Sequence, residues 1–281
     1  MIIGKCYTWG NGFILFKSDT KIRTFWSDGT YSIIDKNIVC AKWKKYSHLI
    51  IFDDTYENYK SIRISPLDLI YTTGKLITNN LNIYGDSHGF SSFTGMKIPH
   101  QNLFEYAKTM YGIGRSNTII NFHKNYLSPD RIFCFVYGEV DVRGHIGKQV
   151  VLGRNYMNVC NELVDAYFRT IHYNITEYKA IIIVGITPPT DPVDHNREDH
   201  VHEMPMPFVG TNAERVMYTE LMNKLLEESC KKYGYYYFNP YEPYKREDGC
   251  LNYLLSDKCL HVGDNTHVLE EFQKLYDSIK K

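Results

Sequence analysis

Several features are missing from this sequence of 281 residues, and each absence excludes a class of protein. No stretch approaches the roughly 18 apolar residues that a membrane helix requires. The start lacks the basic region, apolar run and small-residue cleavage site of a secretory signal. The 32 basic residues balance 32 acidic ones, so no bulk positive charge exists to attract nucleic acid or an anionic membrane. These absences predict a soluble, cytoplasmic protein that binds neither nucleic acid nor membrane.

Cysteine pairs of the C-x-x-C type are also absent. The seven cysteines are an odd number and are widely scattered, which predicts reduced thiols rather than a disulfide framework. Cys134 and Cys160 fall within apolar patterns, which favours small core residues over a catalytic thiol. Hydrophobic residues make up 43% of the chain, enough for one large domain or two unequal ones.

The first part of the chain consists of short, alternating, aromatic-rich runs separated by turn residues such as Gly10-Asn11-Gly12 and Ser27-Asp28-Gly29. This pattern predicts an antiparallel β module over residues 1–76. Two roles are open for its aromatic side chains, a packed core or a face on which sugar rings stack. The residues concerned are Tyr7, Trp9, Trp26, Tyr31, Trp43 and Tyr46.

From about residue 77 onward, strands alternate with helices. Short apolar runs predict strands over 81–85, 108–112, 131–138, 179–186 and 233–239. Apolar residues at helical spacing predict helices over 147–172, 212–232 and the C-terminal stretch. The alternation predicts an α/β domain over 77–281, a flavodoxin-like parallel sheet with helices on both faces in three layers. Sites in such sheets lie beyond the carboxyl ends of the strands.

The run Gly85-Asp86-Ser87-His88-Gly89 follows the first of these strands directly. Ser87 would therefore stand where the chain turns sharply off the sheet. A serine becomes a nucleophile when a histidine takes its proton and a carboxylate orients that histidine. The segment just before the last helix offers two such pairs, Asp257 with His261 and Asp264 with His267.

Four blocks, in this order, resemble those of the SGNH (GDSL-type) hydrolase superfamily. They are Gly85-Asp86-Ser87, then Gly114, then Gly138-Glu139-Val140-Asp141, then the aspartate and histidine before the last helix. The resemblance covers roughly residues 80–281. It implies a serine esterase without metal or organic cofactor, in which Ser87 is the nucleophile of a Ser-His-Asp triad. It also implies that the N–H groups of Ser87 and Gly114 help to bind the oxyanion.

The choice of the catalytic base is open between two histidines. Asp264 and His267 have the D-x-x-H spacing that is usual in the family. Position favours His261 with Asp257, because His267 falls in the first turn of the predicted helix, whose N-cap would be Asp264 or the next residue. We therefore predict His261 and Asp257, with Asp264 and His267 as the alternative pair.

The third block departs from the family pattern. The asparagine whose amide completes the oxyanion hole is replaced by Val140, which has no donor. Arg143 or His145 is expected to supply the missing donor or to hold a sugar hydroxyl or carboxylate. Glu139 is a further substrate-binding candidate, although Glu139, Asp141 and Arg143 would equally suit a structural ion pair. The run resembles a variant block of proteins encoded near glycan-building genes, which favours a carbohydrate ester as substrate.

Other interpretations of these residues are open. Gly85-Asp86-Ser87-His88-Gly89 also fits the G-x-S-x-G elbow of the α/β-hydrolase fold or an ordinary turn. His88 suits the rim of a pocket better than a second base. The polar loop 187–210 contains four residues of metal-ligand type, His195, Asp199, His200 and His202. Their spacing matches no metal motif, so we predict a lid or specificity element there and no metal site.

The sequence thus predicts hydrolysis or transfer of an acyl ester, an acetyl group on a carbohydrate. One alternative is a catalytically silent glycan-binding or assembly protein that retains the fold, which the loss of the oxyanion asparagine at Val140 favours. Another is a lipid esterase, which would require a long apolar channel for the acyl chain.

Overall fold

The structure is a computed structural model that describes residues 2–3, 5–9, 12–24, 27–65, 70–76, 80–104, 108–117, 129–194 and 208–280. Two compact units divide between Asn80 and Leu81. The predicted domain boundary after residue 76 lies a few residues before this division. Among the helices of the described residues, none is both long enough and apolar enough to cross a membrane.

The first unit is an antiparallel meander in which the strands lie in the sheet in their chain order. They are β1 (Cys6–Trp9), β2 (Gly12–Phe16), β3 (Lys21–Thr24), β4 (Asp28–Asp35), β5 (Ile38–Trp43), β6 (Tyr46–Phe52), β7 (Asn58–Ser65) and β8 (Tyr71–Lys75). The last strand returns to the first, because the N–H of Lys75 donates to Thr8 Oγ1 at 2.9 Å. An antiparallel bridge also joins Tyr7 to Leu76. The predicted antiparallel module is confirmed.

Aromatic rings fill the core of this unit. Trp9 stacks on Tyr59 with ring centroids 5.6 Å apart and meets the edge of Trp43 at 5.4 Å. Tyr7 and Tyr31 are buried in the same cluster. Such aromatic pairs add about 0.5–1.5 kcal/mol each beyond the area they bury. Of the two roles that the sequence leaves open, these four residues have the packed-core role. Tyr46 is only partly buried, and Trp26 lies outside the described residues.

The second unit contains a parallel sheet in the order β10-β9-β11-β12-β13. Its strands are β9 (Leu81–Gly85), β10 (His100–Phe104), β11 (Ile132–Val136), β12 (Ala180–Val184) and β13 (Tyr236–Phe238). Every residue of β9, β11 and β12 is buried, as expected where a parallel sheet is covered on both faces. The predicted α/β class is confirmed.

In the described part of the chain, six α-helices accompany this sheet. They are α1 (Ser87–Ser92), α2 (Met110–Ser116), α3 (Ile146–Val151), α4 (Tyr156–Asn174), α5 (Asn212–Tyr233) and α6 (Thr266–Lys280). A π-helical turn, Asp141–His145, leads directly into α3. The predictions of α5 and α6 are confirmed. The single helix predicted over 147–172 is instead two helices, because Gly153 between them adopts a φ of +86° that ends the first.

The strand predicted over 108–112 is wrong, because these residues begin α2 and the second strand is β10. The helix starts here because its first N–H groups are all bound. Thr109 Oγ1 accepts from Gly112 N at 2.8 Å. The carboxylate of Asp141 accepts from Met110 N at 2.7 Å and from Tyr111 N at 3.1 Å. A helix cap supplied from 30 residues away leaves no signal in the local sequence pattern.

Phe272 of α6 is central to the core of the second unit. Its ring lies 4.8 Å from Phe93 and 5.3 Å from Phe238, measured between centroids, and the side chain is fully buried. We expect Phe272→Ala to lower the free energy of unfolding by about 3–5 kcal/mol, since the truncated ring leaves a cavity. Urea unfolding followed by circular dichroism measures the change. Leu254→Ala is the control, because Leu254 is 78% exposed; equal losses in both variants would contradict this view of the core.

Candidate active site

Ser87 is the first residue of α1, directly beyond the carboxyl end of β9. The turn into the helix is tight, since a Cβ on Gly85 would lie 2.9 Å from Gly89 Cα. Asp86 caps the helix, because its Oδ1 accepts the N–H of His88 at 2.9 Å. Asp86 and His88 are buried, whereas Ser87 is partly exposed. The turn therefore presents the Ser87 hydroxyl at the end of a central strand, as the sequence predicts.

The backbone N–H of Ser87 is available to an incoming oxygen atom. The first N–H groups of a helix have no partner inside it. In α1 the N–H groups of Gly89 and Phe90 bond to the carbonyl of Asp86 at 3.1 and 3.3 Å. Within the described residues, neither the N–H nor the hydroxyl of Ser87 has a hydrogen-bond partner. Ser87 thus combines a hydroxyl and a backbone N–H that are both without a partner in the described part of the chain.

His261 and Asp257 form a close pair in the loop before α6. His261 Nδ1 lies 2.6 Å from Asp257 Oδ2. The other carboxylate oxygen accepts the N–H groups of Cys259 and His261 at 2.9 and 3.1 Å. Burial raises the pKa of Asp257, but these bonds outweigh it and hold the pKa below its usual value. His261 Nε2 is buried and has no hydrogen-bond partner among the described residues. A charged carboxylate therefore orients an imidazole whose second nitrogen is free, as a general base requires.

Asn265 fixes this loop against α1. Its Nδ2 donates to the carbonyl oxygens of Ser91, Ser92 and Thr94 at 3.2, 3.2 and 2.8 Å. These carbonyls lie at the C-terminal end of α1, where helix acceptors have no intrahelical partners. From the sequence, Asn265 is only a candidate N-cap of α6. Asn265 and its partners in α1 are more than 170 positions apart in the chain, so no local sequence pattern indicates this contact.

The same loop brings His261 to the start of α1. Ser91 Oγ donates to the carbonyl of Val262 at 3.0 Å, directly after His261. The rings of His261 and His88 lie with centroids 4.6 Å apart. Because His88 follows Ser87 in the chain, His261 and Ser87 are brought to the same end of this helix.

Asp264 and His267 do not form a pair. Asp264 Oδ1 accepts the N–H of Thr266, the first residue of α6, at 3.2 Å. His267 lies in the first turn of α6 and its ring faces Tyr244 at 6.4 Å. Asp264 therefore bonds the helix start, and no hydrogen bond joins it to His267 within the described part of the chain.

Glu139 and Arg143 form a buried ion pair, with Nε 2.7 Å from Oε1. On the other side of Glu139, His88 Nε2 lies 3.7 Å from Oε2, while His88 Nδ1 lies 3.4 Å from Asp86 Oδ1. The prediction that His88 lies at a pocket rim is wrong, because its side chain is buried between two carboxylates. Burial lowers the pKa of His88, but Glu139 and Asp86 together raise it above its usual value. The sequence pattern could not show this, because Glu139 comes from a different strand end.

Asp141 takes no part in that ion pair. It is fully buried and binds the first N–H groups of α2, so its role is to hold the helix start. Burial raises the pKa of this carboxyl to about 7, although the N–H groups of Met110 and Tyr111 oppose the rise. Of the three residues that suit a structural ion pair by sequence, Glu139 and Arg143 form one, and Asp141 does not take part.

His145 and Gly114 both line a cavity of about 330 Å³. The ring of His145 stacks on Tyr111 at 4.2 Å. A Cβ on Gly114 would lie 2.7 Å from the Cβ of Ala166, so the glycine allows α2 and α4 to pack closely. Gly114 lies beyond the first turn of α2, where the helix binds its own N–H groups. Its predicted role as an oxyanion donor is not supported by this position.

The described residues contain no group of three or more side chains suited to holding a metal ion. His195, Asp199, His200 and His202 lie outside the described residues, as does much of the predicted lid over 187–210. The described start of that loop is held by Arg246, which bonds Asp191 at 2.9 Å and Asp194 at 3.1 Å.

Comparison with known proteins gives similarities of fold. No protein-family model matches the chain, and no curated protein matches its sequence. A GDSL-like lipase from Bacteroides thetaiotaomicron has 12% identity and a TM-score of 0.43, over 71% of this chain and 87% of that one. Phospholipase A1 from Streptomyces albidoflavus has 10% identity and a TM-score of 0.38, over 69% and 98%. The OSK domain of Drosophila Oskar has 10% identity and a TM-score of 0.44, over 68% and 86%. Likeness at this level assigns no activity to this chain.

The environment of His88 predicts how stability changes with pH. The pKa of His88 is raised in the folded protein above the usual 6.5. The stabilisation from its charged form is therefore complete below about pH 6.5 and is lost as the pH rises through the folded value. We expect the free energy of unfolding to fall between about pH 6 and about pH 9, and to fall less in His88→Gln. Urea unfolding at both pH values measures the difference. His267→Gln, a histidine outside the buried cluster, should behave as wild type; parallel changes in wild type and His88→Gln would contradict the argument.

Proposed function

We propose that this protein is a serine esterase or acyltransferase with Ser87 as nucleophile, His261 as general base and Asp257 as the carboxylate that orients it. The arrangement of His261 carries the proposal. Its Nδ1 is 2.6 Å from a charged carboxylate, its Nε2 is free, and its ring packs on the residue next to Ser87. The proposal includes a three-layer, flavodoxin-like arrangement for the α/β domain. The proposed mechanism requires no metal or organic cofactor.

In the first half-reaction, Ser87 Oγ attacks the ester carbonyl carbon and its proton passes to His261 Nε2. The backbone N–H of Ser87 donates to the oxyanion of the tetrahedral intermediate. As this intermediate collapses, the bond to the leaving oxygen breaks and His261 returns the proton to the alkoxide. An acyl-enzyme on Ser87 remains.

In the second half-reaction, a water molecule or an acceptor hydroxyl attacks the acyl-enzyme while His261 takes its proton. Collapse of this second intermediate returns the proton to Ser87 Oγ. Water gives the free acid and a hydroxyl acceptor gives a new ester. The triad is the same in both cases, so hydrolysis and transfer differ only in the acceptor that reaches the acyl-enzyme.

A carbohydrate ester, with acetyl as the acyl group, is the substrate class we propose. The cavity of about 330 Å³ at the start of α2 supports a polar alcohol component over a lipid. Its lining includes the charged side chains of Arg115, Arg154 and Glu162, together with His145. A lipid would instead require an apolar channel. The stacked pair of Tyr111 and His145 adds a flat ring surface of the kind that packs against the C–H face of a sugar.

A catalytically silent glycan-binding protein is the second candidate, and Val140 is the observation that favours it. The loss of one oxyanion donor costs an esterase about 3–4 kcal/mol of transition-state stabilisation. Turnover that depends on Ser87 distinguishes the two candidates.

We expect Ser87→Ala to abolish hydrolysis of p-nitrophenyl acetate and labelling by a fluorophosphonate probe. The hydroxyl performs the chemistry, but it makes no hydrogen bond within the described residues, so its removal should leave folding intact. Ser229→Ala on α5 is the matched control and should retain both signals. Labelling of Ser87→Ala at the wild-type level would rule out the nucleophile, and release of acetate from O-acetylated sugars tests the substrate class.

The two histidine candidates predict opposite results in separate variants. His261→Ala should lower the rate of acylation by several orders of magnitude, as loss of a triad histidine does. His267→Ala should acylate at close to the wild-type rate, because His267 makes no bond to Asp264. Stopped-flow detection of the p-nitrophenolate burst measures both rates. A large loss in His267→Ala with a normal rate in His261→Ala would reverse the assignment.

A further inference from the structure

Arg143 carries a buried hydrogen-bond donor that the fold does not use. Its side chain is 8% exposed, and its Nε is bound to Glu139 at 2.7 Å. Its Nη1 is buried and has no hydrogen-bond partner among the described residues. Leaving a charged donor unsatisfied in the interior costs more than leaving a neutral one. A donor of this kind is open to an acceptor that a ligand or a reacting group supplies.

Contacts on two sides place this guanidinium beside the proposed triad. Glu139 binds Arg143 through one carboxylate oxygen and faces His88 with the other, and the His88 ring packs on His261. On the second side is Cys259, in the loop between Asp257 and His261. Burial raises the pKa of the Cys259 thiol to about 11, Asp257 adds to the rise, and Arg143 opposes it. Arg143 therefore lies within electrostatic range of both His88 and the loop that carries the base.

The other candidates for the missing oxyanion donor are directed elsewhere. His145 stacks on Tyr111 and faces the cavity beside α2. Gly114 has its N–H inside α2. Val140 has no side-chain donor. Among Gly114, Val140, Arg143 and His145, only Arg143 combines a buried donor that has no partner in the described residues with contacts that lead to the proposed triad.

We propose that Arg143 Nη1 replaces the missing amide and donates a hydrogen bond to the oxyanion that forms when Ser87 attacks an ester. The inference rests on the proposed esterase function. The charge of the guanidinium matters, because a charge-assisted hydrogen bond to an oxyanion is roughly twice as strong as a neutral one. The gain is largest when the carbonyl oxygen becomes negative, so Arg143 acts on kcat more than on KM.

Glu139 is then a positioning residue for Arg143. It holds the Nε edge of the guanidinium and compensates its charge. The guanidinium carbon also lies 5.9 Å from the Phe208 ring, which packs against the same group. Glu139 thus holds one edge of the planar guanidinium, and Phe208 packs on one of its faces. Together these contacts fix the direction of the remaining N–H groups.

Steady-state hydrolysis of p-nitrophenyl acetate by the full chain tests the proposal. We expect Arg143→Gln to lower kcat by about 100- to 1,000-fold, the range found for loss of one oxyanion donor, with KM changed by less than about threefold. The double variant Glu139→Gln/Arg143→Gln removes both charges together, so it leaves no unpaired buried charge if the single variant unfolds. It should show the same loss of kcat.

Chemical rescue separates a donor from a packing role. In Arg143→Ala, added guanidinium ion should restore at least about tenfold of the lost kcat, because it can occupy the vacated space and donate to the oxyanion. Arg215→Gln is the matched control. Arg215 is also buried, and its guanidinium lies over the same Phe208 ring at 5.3 Å. The kcat of the Arg215→Gln variant, calculated per folded molecule, should remain within about threefold of the wild-type value.

The outcomes distinguish this inference from the proposed function. Wild-type turnover that depends on Ser87, together with an unchanged kcat in Arg143→Gln, would overturn the role of Arg143 alone. A loss that guanidinium does not rescue, or an equal loss in Arg215→Gln, would also overturn it, since both indicate packing. Absence of Ser87-dependent turnover in the wild type would overturn the proposed function and this inference with it.

Discussion

The site depends on one constraint, the attachment of the loop before α6 to helix α1. Asn265 donates to three carbonyl oxygens at the end of α1, and Ser91 donates back to the loop at Val262. The bonds use acceptors that a short helix leaves unsatisfied, so they stabilise the fold as well as the site. They hold His261 against His88 together with the burial of Val262 in the core and the hydrogen bond from the Tyr244 hydroxyl to the carbonyl of Asp264. The position of the proposed base relative to Ser87 therefore follows from a helix-end contact rather than from the histidine itself.

A second feature is the concentration of buried charge beside this contact. Asp86, His88, Glu139 and Arg143 are all buried. Each buried charge costs several kcal/mol to desolvate. Replacing a buried ion pair with well-packed apolar residues of similar size often leaves a protein equally stable or more stable. Charge balance offsets part of this cost, because two carboxylates face one raised-pKa imidazole and one guanidinium. Arg143 Nη1 and His261 Nε2 are among the buried atoms of this region that have no hydrogen-bond partner in the described residues. The proposed chemistry requires an acceptor at the first and a proton at the second.

Local sequence patterns predicted the elements that local forces determine. The buried strands β9, β11 and β12 and the helices α5 and α6 have continuous apolar or periodic runs, and the structure confirms them. The sequence pattern predicts a strand where α2 lies, because the cap of this helix, Asp141, is distant in sequence. The burial of His88 has no local signal for the same reason, since it depends on Glu139 at the end of another strand. Ser87 could be singled out because its signal, a glycine-flanked turn after a strand, is entirely local.

The preference for His261 over His267 shows how a structural rule can outweigh a motif. The D-x-x-H spacing favoured His267, but a residue in the first turn of a helix has its direction set by the packing of that helix. The apolar face of α6 begins at Val268 and is buried against the sheet core. His267, one position earlier, is thereby turned toward Tyr244. His261 precedes the helix, so its ring is oriented by Asp257 and by contact with His88. In the loop, local hydrogen bonds determine the geometry, and there a carboxylate and an imidazole can reach the 2.6 Å separation that orients a base.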